Sequence, residues 1–253
     1  PAGMFLIVIY LMVLAFLLSI APPLVAPSRP PLRAGIVELA SHESPYQALR
    51  VVEDRTAESP LRFLQINEGF DSFQSVWQLQ PGLLPDGYYY NDFLMPLSWS
   101  DANDPWRVLV LGLGAGTVAR VFAGERTDVR LVGVELGGGR IVFGRTYFDM
   151  EVAEETLSVW QGLDARVALR VGSASFEQII LDCYANQVEI PYHLCTVEFF
   201  REVRNRLSDD GWFTANLGGF DFTDPVVNSV ASTCAYAFGS AVLLLRVPLS
   251  RNF

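Results

Sequence analysis

The stretch QIILDCYANQVEIPYHLCTVEFF, residues 178–200, runs from an apolar segment, Ile179 to Leu181, into a lone carboxylate, Asp182. A loop follows, carrying Pro191 and His193, one of two histidines in the chain. A buried parallel strand ends this way when it delivers a reactive group to the lip of an open sheet. Asp182 is therefore the candidate general base, or what remains of one. A second constellation lies upstream. In VLVLGLGAGTVAR, Gly112, Gly114 and Gly116 stand between an apolar run and a helical pattern, with G-x-G-x-G spacing. Glycines there let the backbone approach a ligand closely, and the helix that follows offers free N–H groups. Glu135 ends the next apolar run, VRLVGVEL. An acid in that place can accept both hydroxyls of a ribose.

Weaker signals read as structure. Tyr88 to Tyr90 suit packing between domains, and Asp209 and Asp210 before Gly211 form a solvated turn. His42 reads as a surface residue and His193 as a loop residue packed near the mouth of the cleft. Cys183 has no basic neighbour or helix N-terminus to make it a nucleophile. The three cysteines, Cys183, Cys195 and Cys234, lack CxxC spacing, so no metal site or disulfide framework is expected.

The elements needed to position these groups follow from periodicity. Residues 35–100 read as a small antiparallel sheet of three or four strands, followed by a helix over Leu83 to Leu97. Residues 101–253 read as alternating strands and helices. The strands are RVLVL, VRLVGVEL, ARVALRVGSA, FEQIILD, GWFTANLGG and AVLLLRVP, and a helix is expected over Val197 to Leu207 with Phe199, Phe200 and Val203 on its apolar face. Strands alternating with helices predict a parallel sheet covered on both faces, a Rossmann-like α/β domain.

The N-terminus predicts a membrane attachment. Met4 to Ala21 holds 18 residues without a charge, about 27 Å as a helix and close to the ~30 Å hydrocarbon core. A secretory signal would need a positive n-region, which PAG does not supply. The expected layout is a transmembrane helix in 1–25 and a stiff proline-rich linker in 26–34. Arg29 and Arg33, the first charges, place the folded part on the cytoplasmic side. The net charge of −10 argues against nucleic acid as a partner, since phosphate binding needs a basic face. All 18 cationic side chains are arginine, which no chemistry requires.

ESPYQALRVVED (Glu43 to Asp54), VLVLGLGAGTVARVF, VGVEL and LDCYANQVEIPYHLCTVEFF occur in one order. In this the soluble part, from about Gly35, resembles the spermidine synthases (polyamine aminopropyltransferases), notably their membrane-associated relatives. The resemblance implies a small N-terminal β domain and a domain like that of the S-adenosylmethionine-dependent methyltransferases. It also implies transfer of an aminopropyl group from decarboxylated S-adenosylmethionine to a diamine. In that reading Gln47 contacts the donor, Glu135 holds the ribose, Asp182 is the base, and Tyr90 with Asp92 stands near a substrate-binding Tyr-x-acid pair. Other acids that the family carries are replaced: by Ala115 in the glycine turn, by Gly137 after the ribose acid, by Ser173 at the adenine position and by Ala185 beside the base. The helix expected before FEQIILD reads as almost absent, which would trim the wall for an adenine. The end at SRNF implies either a sheet one strand short or further residues.

Two functions are therefore expected. The first is a membrane-anchored, catalytically degenerate accessory or scaffold subunit, held in the bilayer through residues 4–21 beside integral membrane proteins and needing no cofactor. The second is an active aminopropyltransferase, or another S-adenosyl-ligand transferase, with decarboxylated S-adenosylmethionine or S-adenosylmethionine as donor and Asp182 as base.

Overall fold

A computed structural model describes residues 2–20, 32–43, 47–56, 58–67, 73–99, 105–153, 155–185, 189–248, 250 and 252–253. The chain divides into two compact units, 1–31 and Leu32–Phe253. The described residues of the first form one helix, α1 (Ala2–Ile20), with no charged side chain. Its described side chains are Ile7 and residues 9–17, and among the described residues no helix is long and apolar enough to cross a membrane. Ala21 and the proline-rich stretch to residue 31, with Arg29, lie outside the described residues.

The second unit begins with an antiparallel sheet of four strands in sequence order: β1 (Ile36–Glu43), β2 (Ala48–Asp54), β3 (Leu61–Ile66) and β4 (Ser75–Trp77). Val51 faces Leu64 across β2 and β3, and both are fully buried. The helix expected over Leu83 to Leu97 is much shorter: a 3-10 turn, Tyr89–Leu94, running into one helical turn, Met95–Ser98. Pro85 and the positive φ of Gly87 interrupt the stretch. The Asn91 side chain then takes both backbone groups of Leu84, which a helix would have needed.

A parallel sheet follows, with strands β5 (Arg107–Leu111), β6 (Arg130–Glu135), β7 (Leu157–Gln161), β8 (Phe176–Leu181) and β9 (Leu207–Ala215) in the order β7-β6-β5-β8-β9. Between and after them run α2 (Thr117–Glu125), α3 (Gly138–Tyr147), α4 (Ala165–Val171), α5 (Val197–Arg204) and α6 (Pro225–Phe238). Successive residues of β5 serve opposite faces. Leu109 and Leu111 join a core with Phe199, Phe200 and Val203, whereas Val108 and Val110 join one with Val118, Phe122 and Ile141. That alternation is what two covered faces require of a central strand.

Two expected strands are corrected. The third is Leu157–Gln161, and ARVAL, residues 165–169, belongs to α4, whose Ala165, Ala168 and Leu169 are buried at helical spacing. Asp164 caps that helix, accepting from the N–H groups of Arg166 (2.9 Å) and Val167 (3.2 Å). The helix read as almost absent is therefore present before β8, on residues expected to be the third strand. AVLLLRVP, expected as a sixth strand, has no regular structure over 241–247. Phe253 instead exchanges two backbone hydrogen bonds with Leu217 beyond β9.

Candidate active site at the sheet switch point

Strand order reverses between β5 and β8, so the loops leaving their carboxyl ends diverge and open a cleft there. The glycine turn leaves β5 and Asp182 leaves β8, and the two meet. Gly112 has φ +93°, and a Cβ there would lie 2.3 Å from the Asp182 carbonyl oxygen. The glycine is thus required by the approach of the β8 end as well as by its own backbone. The cleft measures about 1390 Å³, and its lining includes Gln47, Gly112, Gly114, Glu135, Arg140, Asp164, Asp182, Tyr89, His193 and Asn216.

At one end, the Asp182 carboxylate accepts from the Tyr89 hydroxyl (3.0 and 3.1 Å to its two oxygens) and from Asn216 Nδ2 (2.9 Å). Among the described residues no cation pairs with it. Burial, opposed by the Asn216 and Tyr89 hydrogen bonds and reinforced by the Glu135 charge, pushes the carboxyl up to about 6. Burial, then the Asp182 charge, holds the Tyr89 hydroxyl well above its ordinary value, so it stays a donor. The Cys183 thiol is likewise pushed up by burial, which keeps it from acting as a nucleophile.

Toward the glycine turn, Glu135 is 4% exposed and accepts three donors. Gly114 N–H reaches Oε2 (2.9 Å), while Gly137 N–H (2.7 Å) and Arg140 Nη1 (2.6 Å) reach Oε1. Arg140 Nη2 also donates to Gln47 Oε1 at 2.7 Å. A carboxylate offers about four lone-pair positions, so one remains for a ligand hydroxyl. On the flank, Asp164 Oδ2 lies 3.0 Å from His193 Nε2.

The expected residues distribute as follows. Gln47, Gly112, Gly114, Glu135 and Asp182 line this cleft, whereas Gly116, with φ +94°, starts α2 and packs on Met150. Tyr90 and Asp92 are corrected: Tyr90 is 1% exposed in the core, Asp92 faces solvent, and neither is among the lining residues. Tyr89, stacked on Tyr90 at 4.1 Å, is the tyrosine that reaches the Asp182 carboxylate, and Tyr88 and Tyr184 also line the cleft. Ser173 is corrected too, since it precedes β8 at the sheet's opposite end, and the acid after the third strand is Asp164. Ala115 is fully buried against the β2–β3 sheet, its N–H donating to Ser75 Oγ, so that position faces away from the cleft. Asn216 went unnoticed in the sequence, although it ends β9 as Asp182 ends β8. Among the described residues no group of His, Cys, Asp or Glu could hold a metal ion.

Sheet order, glycine turn and terminal acids define a Rossmann-like domain of the S-adenosylmethionine-dependent methyltransferase type. No family model matches the chain. A probable polyamine aminopropyl transferase of Bifidobacterium longum is 30% identical over 215 residues, 83% of this chain and 44% of that protein. A probable spermidine synthase from Corynebacterium glutamicum has a solved structure similar at TM-score 0.63 and 26% identity, covering 78% of this chain and 68% of that one. A spermidine synthase solved with the transition state analogue AdoDATO shares the fold at TM-score 0.57 and 17% identity, over 79% of this chain and 64% of that one. The chain is of the spermidine-synthase-like, polyamine aminopropyltransferase family. It spans less than half the length of the curated relatives it matches.

Proposed function

We propose that this chain is a membrane-anchored transferase of the aminopropyltransferase kind, taking an S-adenosyl donor and an amine acceptor, with Asp182 as general base. The observation that carries this is the half-buried carboxylate at the end of β8, unpaired by any cation among the described residues, held by Tyr89 and Asn216, and raised to about 6. At neutral pH it is ionised, yet basic enough to take a proton from an acceptor ammonium. The freed amine lone pair then attacks the carbon beside the sulfonium, the C–S bond breaks, and its electron pair stays on sulfur as a neutral thioether. Tyr89 and Asn216 orient the carboxylate without neutralising it. The similarity to a spermidine synthase solved with AdoDATO supports a donor of this class. The acid at Asp164 and the presence of α4 support it further, since they restore a wall and a carboxylate that the sequence had seemed to lack.

The anchor is supported by the uncharged run Met4 to Ala21 of the sequence, and the cytoplasmic orientation by Arg29 and Arg33 alone. Retention of the full chain in membranes after alkaline carbonate extraction is the expected outcome; release into the soluble fraction removes the anchor.

A second reading, a catalytically degenerate accessory subunit of an integral membrane complex, is favoured by one observation: Glu135, the ribose acid, already accepts three internal donors. Calorimetry with methylthioadenosine, S-adenosylmethionine and its decarboxylated form separates the two. Micromolar binding of any of them supports the transferase; binding of none supports the accessory subunit.

A further inference from the structure

A side-chain amide is nearly symmetric in shape but not in chemistry, since its NH2 group donates and its oxygen only accepts. Asn216 stands buried beside the Asp182 carboxylate, and its effect there depends on which end of the amide points at the acid. Nδ2 favours the ionised carboxylate; Oδ1 in the same place would repel it. Asn216 is tied down from several sides. Its backbone N–H donates to the Leu181 carbonyl (3.0 Å), and its own carbonyl accepts from the Tyr184 hydroxyl (2.9 Å). Its Nδ2 donates to Asp182 Oδ1 at 2.9 Å, while its Oδ1 accepts from Asn252 Nδ2 at 2.8 Å. The Ser250 hydroxyl in turn donates to Asn252 Oδ1. Asn252 is itself fixed by backbone bonds. Its carbonyl accepts from Val247 N–H (3.1 Å), and the next residue, Phe253, exchanges two hydrogen bonds (2.9 and 2.8 Å) with Leu217, the neighbour of Asn216. Asp182, Asn216, Ser250 and Asn252 all line the cleft.

We propose that Asn252 is a positioning residue for the transfer: by donating to Asn216 Oδ1 it locks the amide with Nδ2 toward Asp182, and it acts on the base only through Asn216. The inference rests on the reading of Asp182 as general base. Removing the Asn252 donor leaves Asn216 Oδ1 a buried acceptor whose partner is gone, which is unfavourable, and frees the amide to turn. Asp182 then loses a hydrogen bond that favours its ionised form. The other groups that face Asp182 are Tyr89 and Tyr90 from the 3-10 turn, Cys183 and Tyr184 beyond β8, and Glu135 at the end of β6. Burial raises the three tyrosines and the thiol, so they stay neutral, and the Glu135 charge is common to every variant compared below.

The test is the protonation midpoint of Asp182, followed by its carboxyl ¹³C shift in the full chain in mild detergent, with Asn252→Leu made both in the wild type and in Asn216→Leu. Asn252→Leu alone is expected to raise the midpoint by about half a pH unit or more. In the Asn216→Leu background it is expected to shift nothing further, because the path to the carboxylate is already cut. No shift with Asn216 present overturns the inference, and so does an equal shift in both backgrounds, which marks Asn252 as packing alone. If thermal melting shows that Asn252→Leu does not fold, the isosteric Asn252→Asp decides by the same comparison. It sets a second acceptor against the Asn216 amide, so a larger rise with Asn216 than without it is expected, and equal rises overturn the inference. A wild-type midpoint at or below about 4 removes the general base itself, and this inference with it.

Discussion

The two ends of the cleft use the same chemical group in opposite ways. Glu135 ends β6 with its carboxylate enclosed by two backbone N–H groups and a guanidinium, whereas Asp182 ends β8 with only a neutral hydroxyl and a neutral amide. The first is a charge made structural, bonded into the join between Gln47, α3 and the glycine turn. The second is a charge kept costly. Burial without a counter-ion among the described residues leaves Asp182 reluctant to ionise, which gives a carboxylate proton affinity within reach of an amine. Environment, and not residue type, divides the work.

The contrast is broken most sharply at Asp182. Asp182→Asn keeps the shape and the Tyr89 contact but removes the proton acceptor, and turnover is expected to fall by about 10²–10⁴-fold. Its melting temperature should not fall, because an uncompensated charge is lost. The sign follows from the raised carboxyl: the folded state holds this proton more tightly than the unfolded chain, so ionisation between about pH 4 and about 6 destabilises the fold. Any stability gain of Asp182→Asn should therefore be present above about pH 6 and absent near pH 4, as read by denaturant midpoints at the two pH values. Wild-type activity should rise through the same interval.

Glu135→Gln should do the reverse. It strands the Arg140 guanidinium in a buried site, with an expected loss of about 3 kcal/mol in chemical denaturation. Smaller still, Tyr89→Phe removes one of the two donors to Asp182. About 1 kcal/mol of stability is expected to go, and the acid limb of the rate profile should move above pH 6, since a hydrogen bond that favoured the ionised form is lost. His193→Ala, at a partly exposed pair with Asp164, should cost roughly 0.2–1 kcal/mol in the same denaturation assay.

Legibility in the sequence followed burial. The central strands β5, β6 and β8 read as apolar runs because both their faces are covered, and the glycine turn and Glu135 could be placed from them. The edge strand β7, LSVWQ, is only partly buried and has no such run, so the more apolar ARVALRV beside it was read as the strand. That displacement carried the expected adenine acid from Asp164 to Ser173. An aspartate directly before A-x-x-A-L is an N-cap signal that was available. The tyrosine shift had a different origin. Among three adjacent tyrosines only the twist of a 3-10 turn decides which one reaches the Asp182 carboxylate, and it turns Tyr89 toward it and Tyr90 into the core. Arg140 was passed over because a lone arginine after three glycines carries no signal until the fold brings Glu135 and Gln47 to it.

The decisive quantity is the protonation midpoint of Asp182 itself, followed by the shift of its carboxyl carbon in ¹³C-labelled protein and assigned by the signal's disappearance in Asp182→Asn. A midpoint at about 6 is expected of a half-buried base with no counter-ion among the described residues. A midpoint at or below about 4, the ordinary range of an aspartate, would mean that the carboxylate is solvated or paired and has no claim to the acceptor's proton.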